Sequence, residues 1–222
     1  EMESEESIER IVHLIKLAAR YIGAEVIYDE HVSEEMQNFK DEEYKFELFS
    51  NEAKNIKKNQ NISEHLKDFV AILEKYMCNR TLYPLQLLSA YHLAFSQNSC
   101  NFSVPGAGKT SIVYGAYAYL KNQIQNPAKT VDKILIIGPL SAFAPWELEY
   151  KECFGVNADI KRINGNIPAE DKKQYFYGQT SEITLISYAS VASVKSAIQY
   201  FLKNNKVMVV LDEAHKIKNT KG

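Results

Sequence analysis

The chain has 222 residues, 45% apolar and 24% charged, and its 26 basic and 28 acidic side chains leave a formal net charge of −2. These proportions are those of an ordinary globular protein and exclude collagen-like, low-complexity and wholly disordered classes. No apolar run reaches the length of a membrane span, and no basic-then-apolar secretory signal opens the sequence.

In chain order, Ile8, Ile11, Val12, Ile15, Ala18, Ala19 and Ile22 recur at helical spacing. Residues 38–50 carry Phe39, Tyr44, Phe46 and Phe49 and read as a further amphipathic piece. The stretch 51–61 is polar and rich in Lys and Asn, the texture of a loop. A second helix follows, with Ile62, Leu66, Phe69, Val70, Leu73, Tyr76 and Met77 on one face and Asn61 with Glu64 as a capping-box-like start. Residues 1–80 hold 18 acidic and 11 basic side chains, whereas residues 81–222 hold 10 and 15. The first part is therefore predicted to be an acidic helical region, a packing or protein-binding appendage. The mildly basic remainder permits contact with nucleic acid phosphates.

Beyond Thr81, short β-branched runs alternate with helical patterns. Strands are predicted at 101–104, 134–137, 160–163, 184–187 and 207–211, and helices at 110–120, 144–154, 169–175 and 189–202. The runs Ile134–Ile137 and Val207–Leu211 are continuously apolar, as in strands of a parallel sheet covered on both faces. The alternation argues for a doubly wound α/β layer. Cys78, Cys100 and Cys153 are far apart and odd in number. That speaks against a disulfide framework and for a reducing, intracellular compartment.

Two segments carry chemistry. Ser103-Val104-Pro105-Gly106-Ala107-Gly108-Lys109-Thr110 follows a predicted strand and opens a helix, the context of a P-loop. Gly106 and Gly108 permit the tight turn that aims backbone N–H groups at an anion, and the helix amino terminus adds its dipole. Lys109 is placed to reach β- and γ-phosphates and the Thr110 hydroxyl to ligate Mg²⁺. Ser103 stands where the eight-residue pattern usually begins with glycine. Val209-Val210-Leu211-Asp212-Glu213-Ala214-His215 sets two carboxylates at the end of an apolar strand, where ligands of open parallel sheets bind. Asp212 would hold Mg²⁺, and Glu213 would polarise a water attacking the γ-phosphate. His215 in this box is read as coupling the nucleotide site to motion.

With these residues, the chain resembles the first RecA-like lobe of a superfamily 2 helicase, and more narrowly a Swi/Snf-type ATPase. Leu82-Tyr83-Pro84-Leu85-Gln86 resembles that family's adenine-reading Q motif, with Gln86 in register. Residues 103–110 resemble motif I, and Ile136–Ser141 followed by Pro145-Trp146-Glu147 resembles motif Ia and the Asn-Trp-Glu signature. Leu185–Tyr188 resembles motif Ib, and Asp212–Asn219 resembles motif II with its Ile-Lys-Asn tail. Tyr83 and Leu85 replace the family's Arg and Tyr, and Pro105-Gly106-Ala107 replaces Met-Gly-Leu, which points away from the eukaryotic remodellers.

The resemblance covers residues 81–222, where it implies a RecA-like ATP-binding lobe that stops before motif III; the helical region over 1–80 lies outside it. It implies ATP and Mg²⁺ as ligands, with Gln86 and residues 105–110 on the nucleotide, and Thr110 and Asp212 on the metal. Ser141 and Tyr188 either touch a DNA strand or pack loops, and Trp146 either packs or stacks on bases. The other partner implied is a second RecA-like lobe of the parent chain, which supplies an arginine to the same nucleotide. The parent would be an ATP-driven duplex-DNA translocase, cytoplasmic (nucleoid-associated) or nuclear. The alternatives are a strand-separating helicase subunit of a restriction or defence system and a non-enzymatic regulatory module. With one lobe only, the fragment is expected to be nearly inactive alone.

Overall fold

The computed structural model describes residues 8–34, 36–37, 40–41, 44, 64–96, 99–124 and 129–214. It divides into two units, residues 1–51 and 52–222. In the first, α1 (Ile8–Ile22) is the helix that the 3.6-residue recurrence predicts, with Arg20 in its last turn, where a cation suits the helix dipole. Leu14, Leu17 and Tyr21 are exposed along it. The expected loop at 51–61, its neighbour Asn61 and most of 38–50 lie outside the described residues.

In the second unit, α2 (Glu64–Tyr76) buries Leu66, Phe69 and Leu73. Next, α3 (Pro84–Phe95) starts on a proline, whose fixed φ and missing N–H suit a first helical position. Both helices pack on α4 (Lys109–Asn122), through a ring cluster in which Phe69 meets Tyr91 edge-on at 5.4 Å and Phe95 lies 5.2 Å from Tyr119. Residues 111–119 of α4 are all buried, so α4 is a core helix rather than an amphipathic one. Gly115 makes the close approach possible, because a Cβ there would sit 2.8 Å from Leu82 Cδ1 and 3.1 Å from Ala90 Cβ.

The sheet comprises β1 (Lys133–Gly138), β2 (Ile160–Ile163), β3 (Ile183–Ser187) and β4 (Val207–Leu211), in the order β2-β3-β1-β4 and parallel throughout. Between strands run α5 (Phe143–Phe154), α6 (Ala169–Tyr177), the short α7 (Tyr188–Val191) and α8 (Lys195–Asn204). Leu135, Ile163 and Ile186 point to one face, where Phe176 of α6 and Ala197, Ile198 and Phe201 of α8 complete the core. Ile134, Ile136, Ile183 and Leu185 alternate to the other face and are fully buried, which leaves α4 and α5 to cover it. This is the expected α/β layer. Among the described residues, no helix is long and apolar enough to cross a membrane.

Three expectations need correction. Residues 101–104 form no strand. Instead Asn101 Oδ1 accepts the Ser103 N–H at 3.0 Å and also the Ser103 hydroxyl, a side-chain turn that competes with a ladder. The strand β4 is not covered on both faces: it is the last strand of the described sheet, and Val209 and Leu211 are exposed. The helix expected over 189–202 breaks into α7, a 3₁₀ turn at Ala192–Val194 and α8. There the Ser193 hydroxyl bonds the Ser190 carbonyl at 2.8 Å, the local competition expected of serine.

The three thiols differ in environment. Cys78 and Cys100 are exposed and Cys153 is buried. Burial, and then the charge of Glu149, push the Cys153 thiol up to about 12, with Arg80 opposing. A raised thiol keeps its proton at pH 8 and is a poor nucleophile. Iodoacetamide at pH 8 should therefore modify Cys78 and Cys100 in the native protein and reach Cys153 only after denaturation, as mass spectrometry of timed samples would reveal.

Candidate nucleotide site

The turn at 105–108 is built on two glycines in the left-handed region, Gly106 at φ 80° and Gly108 at φ 76°. Gly108 is the residue before α4 and offers no side-chain cap, so the first-turn N–H groups of α4 face outward as donors for an anion. The Ala107 N–H closes the turn on the Val104 carbonyl at 3.2 Å, and the Ile112 N–H reaches the Gly108 carbonyl at 3.0 Å. Pro105, Gly106 and Lys109 are exposed, while Ala107 and Thr110 are half-buried.

Gln86 braces this turn from α3. Its Oε1 accepts the Tyr83 N–H at 3.0 Å, and its Nε2 donates to the Ala107 carbonyl at 2.9 Å. The residue expected to read adenine ties the start of α3 to the glycine turn. A Cβ on Gly108 would collide with that same Nε2.

At the other half of the site, β4 ends at Leu211 and Asp212 follows. The Asp212 N–H donates to the Ile137 carbonyl at 2.8 Å, and its own carbonyl accepts the Tyr188 hydroxyl at 2.7 Å. Its Oδ2 accepts the Trp146 indole N–H at 2.9 Å. Burial, then the negative charges of Asp212 and Glu213, raise the Tyr188 phenol above its ordinary range, which keeps it protonated as a donor. Glu213 is exposed and adopts φ 55°, the sole positive φ of a non-glycine among the described residues. Left-handed backbone at a side chain stores strain of about 1–3 kcal/mol and clusters at functional sites. Thr110 and Asp212 supply hard oxygen donors, which is the donor chemistry Mg²⁺ takes.

Two helices link the halves. From α4, the buried Tyr114 hydroxyl donates to the Trp146 carbonyl of α5 at 2.8 Å, and the two rings stand edge-on at 5.3 Å. Also from α4, the Ser111 hydroxyl donates to Glu149, which takes Arg80 at 3.4 Å on the same oxygen. Because all strands are parallel, the ends of β1, β3 and β4 share one edge of the sheet. That edge carries Ser141, exposed in the turn Leu140–Ala142, then Tyr188 and then Asp212. His215 lies outside the described residues. The sequence marks Trp146 as a packing or base-stacking residue of the Asn-Trp-Glu-like signature but not as a partner of Asp212, and Glu149 carries no motif signal beyond lying three residues on.

A family model described as an SNF2-related domain matches residues 96–222. None of the curated proteins matches the chain. Among solved structures, it is similar to a Sulfolobus solfataricus SWI2/SNF2 ATPase core in complex with dsDNA, at 24% identity and a TM-score of 0.49. That match covers 68% of this chain and 30% of the other, so this chain spans under a third of that one.

Substituting the two glycines separates backbone strain from steric conflict. Gly106→Ala meets open space and should lose only the left-handed penalty, about 1 kcal/mol. Gly108→Ala must also displace Gln86, so it should lose about 1 kcal/mol more. Urea unfolding of both variants measures the difference, and equal losses would contradict the brace.

Proposed function

The chain belongs to the SNF2-related domain family, and on that footing we propose that it is the ATP-binding lobe of an ATP-driven DNA motor. The observation that carries the proposal is the linkage of an uncapped, doubly glycine-turned helix start to the carboxylate at the end of β4. Loop glycines, Lys109 and Thr110 suit a triphosphate, and a strand-end Asp-Glu pair suits hydrolysis.

In this reading the α4 first turn, Lys109 and residues 105–108 hold the phosphates, and Gln86 lies at the base side. Thr110 and Asp212 would hold Mg²⁺, which neutralises charge developing on the transferred phosphoryl group. Glu213, exposed beside the fixed Asp212, takes the proton of the attacking water. DNA would lie along the sheet edge of Ser141 and Tyr188, where backbone N–H groups and hydroxyls give contact with phosphates independent of sequence. The positive balance of residues 81–222, 15 basic against 10 acidic, favours that partner. Since Tyr188 already spends its hydroxyl on Asp212, a strand pressing on this loop acts on the acidic box through one hydrogen bond. His215 continues that box and is assigned to coupling. A second RecA-like lobe completes the site with an arginine. In the first unit, exposed Leu14, Leu17 and Tyr21 of α1 offer an apolar stripe to a protein partner.

The chain alone should bind Mg·ATP weakly and turn it over very slowly. In calorimetry Lys109→Ala should weaken binding at least about tenfold, whereas Glu213→Gln should retain it. In a protein that includes the second lobe, DNA-stimulated hydrolysis should vanish in both variants. Wild-type hydrolysis rates in either one would overturn the assignment.

A further inference from the structure

Trp146 is the single tryptophan of the chain, and we propose that it is a positioning residue that fixes the Asp212 carboxylate for metal through its indole N–H. The proposal rests on the reading that Asp212 serves Mg²⁺. It starts from the contact of Trp146 Nε1 with Asp212 Oδ2 at 2.9 Å. An indole N–H only donates and a carboxylate only accepts, so the bond has one possible polarity and no alternative tautomer.

The indole is well anchored. Trp146 is 4% exposed, its carbonyl takes the Tyr114 hydroxyl, and its ring stands at 85° to the Tyr114 ring. Asp212 needs such an anchor. It sits at the point where β4 ends, directly before the left-handed Glu213. Its main chain is held by Ile137 and Tyr188, but neither bond fixes its side-chain torsions. On β1 the absence of a side chain at Gly138 leaves the Asp212 side chain its room, since a Cβ there would come within 3.2 Å of Asp212 Cβ, closer than ordinary contact. With Oδ2 engaged by the indole, the second carboxylate oxygen is the one offered to the metal's water shell. Partners of this kind orient ligands and typically change metal affinity 10–100-fold when removed.

The same bond makes Trp146 a reporter. A lone tryptophan gives a single indole ¹⁵N–¹H resonance, and that proton lies on the carboxylate in question. Trp146→Phe keeps an aromatic ring against Tyr114 while deleting the donor together with part of the buried ring volume.

The test uses the whole chain with ATP, titrating Mg²⁺ in calorimetry. Trp146→Phe should raise the Mg²⁺ concentration needed to support ATP binding about tenfold. It should leave the weak Mg²⁺-free affinity unchanged, a split that general loosening of the fold would not produce. In the wild-type chain the indole resonance should move when Mg·ADP is added, and should already be displaced in Asp212→Asn. An unaltered Mg²⁺ requirement in a folded Trp146→Phe variant overturns the proposal while leaving nucleotide binding intact. Should that variant not fold, an indole resonance indifferent both to Mg·ADP and to Asp212→Asn overturns it. Absence of any ATP binding by the wild-type chain would instead overturn the nucleotide reading, and this proposal with it.

Discussion

The packing of Tyr114 against Trp146 is the contact on which the candidate site depends. A buried phenol must find an acceptor, since an unpaired hydroxyl away from water costs on the order of 1–3 kcal/mol. Here the acceptor is a main-chain carbonyl of the neighbouring helix, at 2.8 Å. The edge-on ring pair adds roughly 0.5–1.5 kcal/mol. Tyr150 and Phe154 stand edge-on to the same Tyr114 ring at 5.4 and 5.8 Å, which extends the contact along α5. The rotation and height of α5 against α4 are therefore specified, and with them the direction in which Trp146 presents its N–H. A glycine turn at the head of α4 and a carboxylate at the end of β4 are about a hundred residues apart in sequence. Two hydrogen bonds and one ring contact are enough to connect them.

A second polar hub fixes the opposite end of the sheet. Glu182, directly before β3, accepts the Tyr117 hydroxyl at 2.9 Å, the Tyr150 hydroxyl at 3.3 Å and the Lys121 ammonium at 2.6 Å on one oxygen. Burial, followed by the Glu182 charge, raises both phenols well above their ordinary range, so they are protonated donors at neutral pH. This hub joins α4, α5 and β3 where the strands begin, as Trp146 joins α5 and β4 where a strand ends. A helix pair pinned at both ends of a sheet cannot slide along it without breaking charged hydrogen bonds, and such fixity is what a precisely held site requires.

Much of this was legible in the sequence, because its signals are local. Apolar runs marked four strands, helical spacing marked the helices between them, and the glycine turn and acidic box stood out as short motifs. The segment 101–104 was misread because Phe102 and Val104 carry β propensity, whereas the outcome was decided by Asn101 closing a turn on Ser103. Propensity is a weak guide where a side chain offers the backbone another partner. The exposure of β4 was misread for a different reason. An apolar run records what a strand can bury, and its place in the strand order determines what is covered. The sequence singled out Trp146 but not its bond to Asp212, and gave no sign of Glu149, because the partners, Asp212 and Ser111, lie 66 and 38 residues away. Only the crossover topology brings them together.

Asp212 and Glu213 illustrate how one dipeptide acquires two characters. Asp212 is half-buried, with its N–H, its carbonyl and its carboxylate each hydrogen-bonded to a different element: β1, the start of α7 and α5. Glu213 is exposed, one residue further along a backbone turned to φ 55°. The left-handed step is what separates them. In continued strand geometry the two side chains would simply alternate across the sheet, with Glu213 following the exposed Val209 and Leu211 onto the face opposite Asp212. Turning the chain there costs strain but places a second carboxylate in water beside the first without requiring both to share one buried site, where like charges oppose joint ionisation. A fixed carboxylate suits a metal and an exposed, adjustable one suits a proton. The backbone at 212–213 supplies both from adjacent positions.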